Sequence, residues 1–206
     1  MKKRFLIFNI LMLFFATGCS KTPELSYDGD EIIYSCTEED INLFDGLVNV
    51  NITDKQGFVM TDSNNEMKEY TNGLLEFTDE DGVDIQNCFF VSYEEITGNN
   101  FASRTAISHR DPVEGGMKIS VSGNYSYKVS DSKVFVDTYS TSEELNRYIN
   151  TNILAVYTLN MQSKTYDELA SEIEFNETKL ASVNSLISKY GVEVTKVNIE
   201  TVEKVS

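Results

Sequence analysis

The sequence predicts an α+β fold: an antiparallel, twisted β-sheet over the first two-thirds of the chain, helices packed on it, and a final strand. Three observations predict it. Across residues 31–128, short apolar runs alternate with turn dipeptides, the pattern of antiparallel strands joined by tight connections. After Ser130-Asp131 the apolar period lengthens from two to that of an amphipathic helix. After Tyr190-Gly191 it returns to two.

The candidate strands are residues 31–36, 47–52, 57–61, 74–78, 85–93 and 117–129. Asp45-Gly46, Gln56-Gly57, Asn72-Gly73, Asp81-Gly82 and Gly115-Gly116 separate them as expected turns. Strand 117–129 is the clearest. Met117, Ile119, Val121, Tyr125, Tyr127 and Val129 share one face with Gly123, and Lys118, Ser120, Ser122, Asn124, Ser126 and Lys128 line the other. This is the alternation of a half-buried antiparallel strand.

Asp131 or Ser132 caps a short helix over 133–139. Thr141-Ser-Glu-Glu144 is a capping-box pattern that opens a longer one, with Leu145, Tyr148, Ile149, Ile153, Val156 and Leu159 on one face. A second capping box, Thr165-Tyr-Asp-Glu168, opens a helix whose stripe is Leu169, Ile173, Leu180, Val183, Ile187 and Tyr190, interrupted by a polar turn at Asn176 and Glu177. Gly191 stands where a C′ glycine belongs, and Lys189 suits the negative end of the helix dipole. The last strand slips: Val194 and Val197 are three residues apart, so Val192/Val194 and Val197/Ile199 would face opposite sides of an ideal strand. A bulge near Thr195-Lys196 brings both pairs to one core.

The chain opens MKKRFLIFNILMLFFATGCS. A basic head (Lys2, Lys3, Arg4), an eleven-residue run at 5–15 broken only by Asn9, and small residues before Cys19 make a secretory signal over residues 1–18. The run is too short for a spanning helix, which needs about 20 apolar residues. Ala16-Thr-Gly-Cys19 resembles a bacterial lipobox, with Ala16 where leucine is usual. That resemblance implies a lipid on Cys19; an ordinary signal peptide with an incidental cysteine is the alternative. Residues 19–30, polar with Pro23 and Gly29, are expected to be the lipid-anchored tether and 31–206 a single domain. Ser20 after Cys19 favours the outer membrane in a Gram-negative host, and the protein is expected on the extracytoplasmic face. Removing 1–18 takes three of the 17 basic residues and none of the 33 acidic ones, leaving a formal charge of −19. Such a chain repels phosphate backbones, so nucleic acid is excluded as a partner. It also has no electrostatic attraction to anionic lipid, which leaves anchoring to the lipid chains.

Cys36 and Cys88 have neither metal nor redox spacing. Outside the cytoplasm they are either a disulfide or two buried thiols. His109 is the one histidine; Ser108-His109-Arg110-Asp111 has triad residue types, but near-consecutive residues cannot hold triad geometry, and a loop is expected there. Residues 79–84 (DEDGVD) have the look of a calcium loop, yet lack an EF-hand's third early ligand and distal glutamate, so a hairpin turn at Asp81-Gly82 is expected. No catalytic residue, metal site or cofactor is expected.

Three stretches carry a resemblance to the band 7 or SPFH domain of stomatins, prohibitins and flotillins. Tyr127-Lys-Val-Ser-Asp131 is similar to the family's Tyr-x-aliphatic-x-Asp, and Thr165-Tyr-Asp-Glu-Leu169 to its Thr-x-x-Glu-Leu. Tyr190-Gly-Val-Glu-Val-Thr-Lys-Val-Asn-Ile199 resembles Gly-aliphatic-x-Val-x-x-Val-x-Ile, slipped register included. Asn51-Ile-Thr-Asp-Lys-Gln-Gly-Phe-Val59 with Thr71-Asn-Gly73 extends the similarity, which runs over residues 45–206. The resemblance implies a non-enzymatic membrane protein that scaffolds membrane components or regulates a membrane protein such as a protease. Residues 156–162 lack the arginine many members carry, and no coiled-coil run follows residue 199, so a small homo-oligomer is expected rather than a large ring. The other reading is a ligand- or calcium-binding surface lipoprotein of unrelated α+β fold.

Overall fold

The computed structural model describes residues 22–78 and 84–205. Its elements run β1 (Glu24–Ser26), β2 (Ile33–Ser35), α1 (Glu38–Asn42), β3 (Val48–Asp62), β4 (Met67–Phe77), β5 (Ile85–Ser92), β6 (Ile96–Ala102), β7 (Ile107–Asp111), β8 (Gly115–Val129), α2 (Ser132–Thr138), α3 (Ser142–Asn160), α4 (Tyr166–Ala170), α5 (Glu177–Ile187) and β9 (Val192–Lys204). This is the expected α+β class, with nearly all strand pairs antiparallel.

β8 is the spine of the C-terminal sheet. β9 pairs along one edge of it, and β6 and β7 share the other. Its inward residues Ile119, Val121, Tyr125, Tyr127 and Val129 are buried as the alternation predicts. β9 carries two bulges. Its pairing jumps from Tyr127↔Val194 to Ser126↔Lys196, leaving Thr195 as an extra residue, and from Gly123↔Ile199 to Ser122↔Thr201, leaving Glu200 extra. The first bulge restores the slipped register, and Val192, Val194, Val197 and Ile199 all enter the core. A side chain at Gly123 would collide with the Asn198 carbonyl oxygen and the Phe101 ring, so the strands close here only around glycine.

The N-terminal sheet is organised on β3. β4 pairs along one edge for its whole length; β1, parallel, takes the first part of the other edge and β5, followed by β2, the second. The two strands expected at 47–52 and 57–61 are one strand. Gln56-Gly57 and Asn72-Gly73, expected as turns, are the two sides of a register shift inside the β3–β4 pair, with φ +39° at Asn72 and +119° at Gly73. The hairpin turn lies at 63–66, where Asp62 Oδ1 accepts the N–H groups of Asn64 and Glu66 at 2.9 Å each. Polar chemistry at Ser63-Asn64-Asn65 made this turn, and a Gly-based reading passed over it.

Both faces of the sheet are buried where β3 and β5 pair. Phe58, Met60, Cys88 and Phe90 pack with Leu25, Phe44, Val48, Val50, Ile52 and Phe77. The intervening Val59 and Val91 face the core under the C-terminal sheet and helices. Two-sided burial explains the unbroken apolar runs at 58–60 and 88–91. Ser132 of α2 and Tyr93 both donate to Glu69 Oε1 of β4, the latter at 2.8 Å, and so tie the helical layer to this sheet.

Residues 19–30 are not wholly a tether, because Glu24–Ser26 is a strand with Leu25 buried and Tyr27 stacked on Tyr34 at 4.5 Å. β6, β7 and α1 add to the expected elements; α1 has its own capping box between Thr37 and Asp40. The helix opened by Thr165 ends at Ala170. Asn176 caps a separate helix, α5, its side chain accepting from the Lys179 N–H at 3.0 Å. The polar turn in the stripe is that break. Two residues assigned to apolar faces are outside: Leu159 is 73% and Ile173 71% exposed. Among the described residues no helix is long and apolar enough to cross a membrane.

Candidate functional site

Residues 1–21, with the signal and Cys19, lie outside the described residues, as do residues 79–83 of the calcium-like loop. The described chain starts three residues after Cys19. Pro23 accepts the Asn49 N–H at 2.9 Å, so the fold begins almost at the expected anchor. Cys36 and Cys88 stand opposite each other on β2's continuation and β5, where the structure joins them as a disulfide with Cα atoms 5.3 Å apart; the Cys36 N–H donates to Cys88 O at 2.9 Å.

The Ser108-His109-Arg110-Asp111 segment is the strand β7, not a loop. Strand alternation turns His109 and Asp111 inward and leaves Ser108 and Arg110 exposed. Ser108 and His109 therefore face opposite ways, and no nucleophile–base pair forms between them. His109 is 3% exposed, and neither ring nitrogen has a hydrogen-bond partner among the described residues. Asp111 serves as a turn and clasp residue: Oδ1 accepts from the N–H groups of Val113 (2.6 Å) and Glu114 (2.8 Å), and Oδ2 from that of Tyr166 (2.5 Å). The Glu114 and Tyr166 N–H groups hold its carboxyl below the usual range. Among the described residues no group of three or more His, Cys, Asp or Glu is placed to hold a metal.

The outer edge of β9 is covered at four points, Val194, Val197, Ile199 and Val202. The Asn184 side chain of α5 donates to Val194 O (3.0 Å) and accepts from Val194 N–H (2.8 Å). The segment between α4 and α5 pairs further on: Phe175 N–H donates to Val197 O at 3.0 Å, and Ile199 N–H to Ile173 O at 2.8 Å. The Tyr166 hydroxyl donates to Val202 O at 3.1 Å. Glu172 lies in this segment and bridges Lys164 (2.7 Å) and Lys179. Burial works against the Glu172 charge, but the two ammonium groups outweigh it and its carboxyl titrates below the usual range. Lys179 is lowered by burial in spite of Glu172; its Nζ also lies 5.2 Å from the Phe175 ring centroid. Sequence reading missed this segment because it treated 165–190 as one helix.

A shallow groove of about 240 Å³ lies between the end of α2, the start of α3 and Tyr190. Tyr148 and Tyr190 stack at 4.6 Å, and Arg147 and Lys189 lie 5.4 and 5.1 Å from the respective ring centroids. The ring faces are taken, and the groove presents no convergent set of reactive groups.

What these features define is an α+β domain without an assembled catalytic constellation among its described residues, closed at its last strand by an α4–α5 layer. The family model of the SPFH domain-Band 7 family matches residues 85–205, from β5 to the end of β9. The chain belongs to the SPFH domain-Band 7 family. The match starts 40 residues later than the resemblance expected from residue 45, and β1–β4 lie outside it. No curated protein matched the sequence. SPFH domains are membrane-associated, generally non-enzymatic, and serve scaffolding and regulatory roles in general; they typically oligomerise and associate with membrane proteins.

Proposed function

We propose that the protein is a lipid-anchored, non-enzymatic SPFH protein on the extracytoplasmic face of a bacterial membrane, where it scaffolds membrane components or regulates a membrane protein such as a protease. The observation that carries this reading is the lipobox-like Ala16-Thr-Gly-Cys19 placed five residues ahead of β1. Five extended residues reach at most about 18 Å. A lipid on Cys19 would hold the SPFH domain against the bilayer surface, within reach of the ectodomains of integral proteins. The Cys36–Cys88 pairing suits an oxidising compartment. With Ser20 after Cys19 the outer membrane is favoured in a Gram-negative host.

Crosslinking in intact cells, followed by identification of what copurifies, tests the role. The expected result is a defined membrane protein captured with wild type and lost with Cys19→Ser. Equal capture by both would show that the anchor does not place the domain beside its partner.

A further inference from the structure

We propose that residues 164–176 are an acid-releasable strap, which covers the outer edge of β9 at neutral pH and lifts from it, as a unit, before the sheet beneath comes apart. The proposal does not depend on the identity of the anchor or the partner.

The strap's grip on the edge is slight. Two backbone bonds at Val197 and Ile199 and one tyrosine hydroxyl at Val202 hold it to β9. Its helix α4 is five residues long, too short to be stable unaided. Leu169 and Phe175 are its buried apolar anchors, while Ile173 faces solvent. Segments with few buried apolar contacts open locally at a fraction of the global free energy.

Carboxylates hold the rest. Asp111 of β7 takes the Tyr166 N–H, at the strap's entry. Glu168 closes the capping box by accepting from Thr165 N–H at 2.7 Å and Thr165 Oγ1 at 3.1 Å. Glu172 ties the strap's middle to Lys164 and to the first turn of α5 through Lys179. All three carboxyls are held below their ordinary range: Asp111 by backbone N–H groups, Glu168 by Thr165, and Glu172 by its two lysines against the opposing effect of burial. A group with a depressed folded-state pKa contributes its stabilisation above the ordinary carboxylate pKa of about 4, and loses it as pH falls through the lower folded value.

The neighbouring charges reinforce the sense of the switch. Once Glu172 is protonated, Lys179, with its side chain only 6% exposed, is a buried cation that has lost the carboxylate charge opposite it. Lifting the strap lets it hydrate. The Tyr157 hydroxyl, buried and unpartnered on α3, faces Glu172 and offers Lys179 no charge. His109 lies buried beside Asp111. Release at this end follows protonation of Asp111 itself. Lys204, paired to Glu114 at 2.5 Å, sits 4.3 Å over the Tyr166 ring and stays charged throughout. Opening bares the N–H and C=O groups at Val197 and Ile199, an edge available for strand addition.

Amide hydrogen exchange on the full-length protein in detergent, from pH 7 downward, tests this. In wild type the protection factors of Phe175 and Ile199 should fall at a higher pH than those of Val121 and Tyr125. The double variant Asp111→Asn, Glu172→Gln should lose about tenfold or more in protection at Phe175 and Ile199 at pH 7, with β8 unchanged. Glu172→Leu with Lys179→Met, an apolar pair in place of the ions, should open at lower pH than wild type. Loss of protection at Phe175 and Ile199 only together with β8 would overturn the proposal. So would wild-type protection in the double variant. If the double variant fails to fold, the wild-type pH series still decides.

Discussion

Val194 and Val197, three residues apart on one strand, are each 1% exposed. Val194 pairs with Tyr127 and Val197 with Tyr125, and the step between them is absorbed by Thr195. One extra residue thus sets the register of the final strand, and α4 and α5 pack against the result.

Val197→Asp should unfold the domain or strip away most of its stability, because an unpaired carboxylate would enter the core between Tyr125 and Phe175 neighbours. Lys196→Ala, at an exposed position, and Glu193→Ala, at a half-exposed one, should stay within about 0.5 kcal/mol of wild type. Glu193 gives up only a 3.7 Å ion pair with Lys128, both side chains more than 40% exposed. Urea melts of the three variants check this; an unchanged Val197→Asp midpoint would remove β9 from the core.

Gly191 has φ +69°, and a side chain there would press on Asp131 O and the backbone of Phe135 at the start of α2. Its carbonyl also accepts the N–H groups of Ser130 (2.9 Å) and Asp131 (3.1 Å). Gly191→Ala should cost more than the ~1 kcal/mol of a left-handed position alone, and Gly191→Val more again. Equal melting of Gly191→Ala and wild type would mean that α2 does not dock as described.

Reduction should destabilise the N-terminal sheet. Cys36 and Cys88 are 52 residues apart, and opening such a loop costs about 4 kcal/mol in the chain-entropy model. Melts with and without dithiothreitol, and of Cys36→Ser with Cys88→Ser, should show the same loss. An untouched midpoint under reductant would contradict a closed disulfide in the folded protein.

Asn184→Ala should cost about 1 kcal/mol, since both polar groups of Val194 lose their side-chain partner at the edge of β9. Hydrogen exchange at Val194 should rise while that at Ile199 stays. A rise at both would show that Asn184 and the strap act as one unit.

Local chemistry made much of this legible. Period and capping marked β8, α2, α3 and the slipped β9, because each of these is amphipathic over several residues and ends on its own Thr, Asp or Gly. Where two-sided burial replaced alternation, as in Phe58-Val59-Met60, the pattern showed an apolar run but not the single long strand that contains it. β6 and β7 leave little periodic signal, because Phe101 alone is buried in β6 and the inward residues of β7 are the polar His109 and Asp111. Asn176 capped a helix that a stripe-based reading had already begun, so the strap and its clasp with Asp111, 55 residues away in sequence, were invisible. Long-range pairings of this kind leave no local signal.

The central claim, a lipid-held SPFH domain, is tested most directly by metabolic palmitate labelling with fractionation of the host cells. The protein should carry label, start at Cys19 by mass spectrometry, and sediment with membranes. Cys19→Ser should lose the label and release the domain. Label-free wild type, or a Cys19→Ser variant that keeps label and membrane association, would contradict the account.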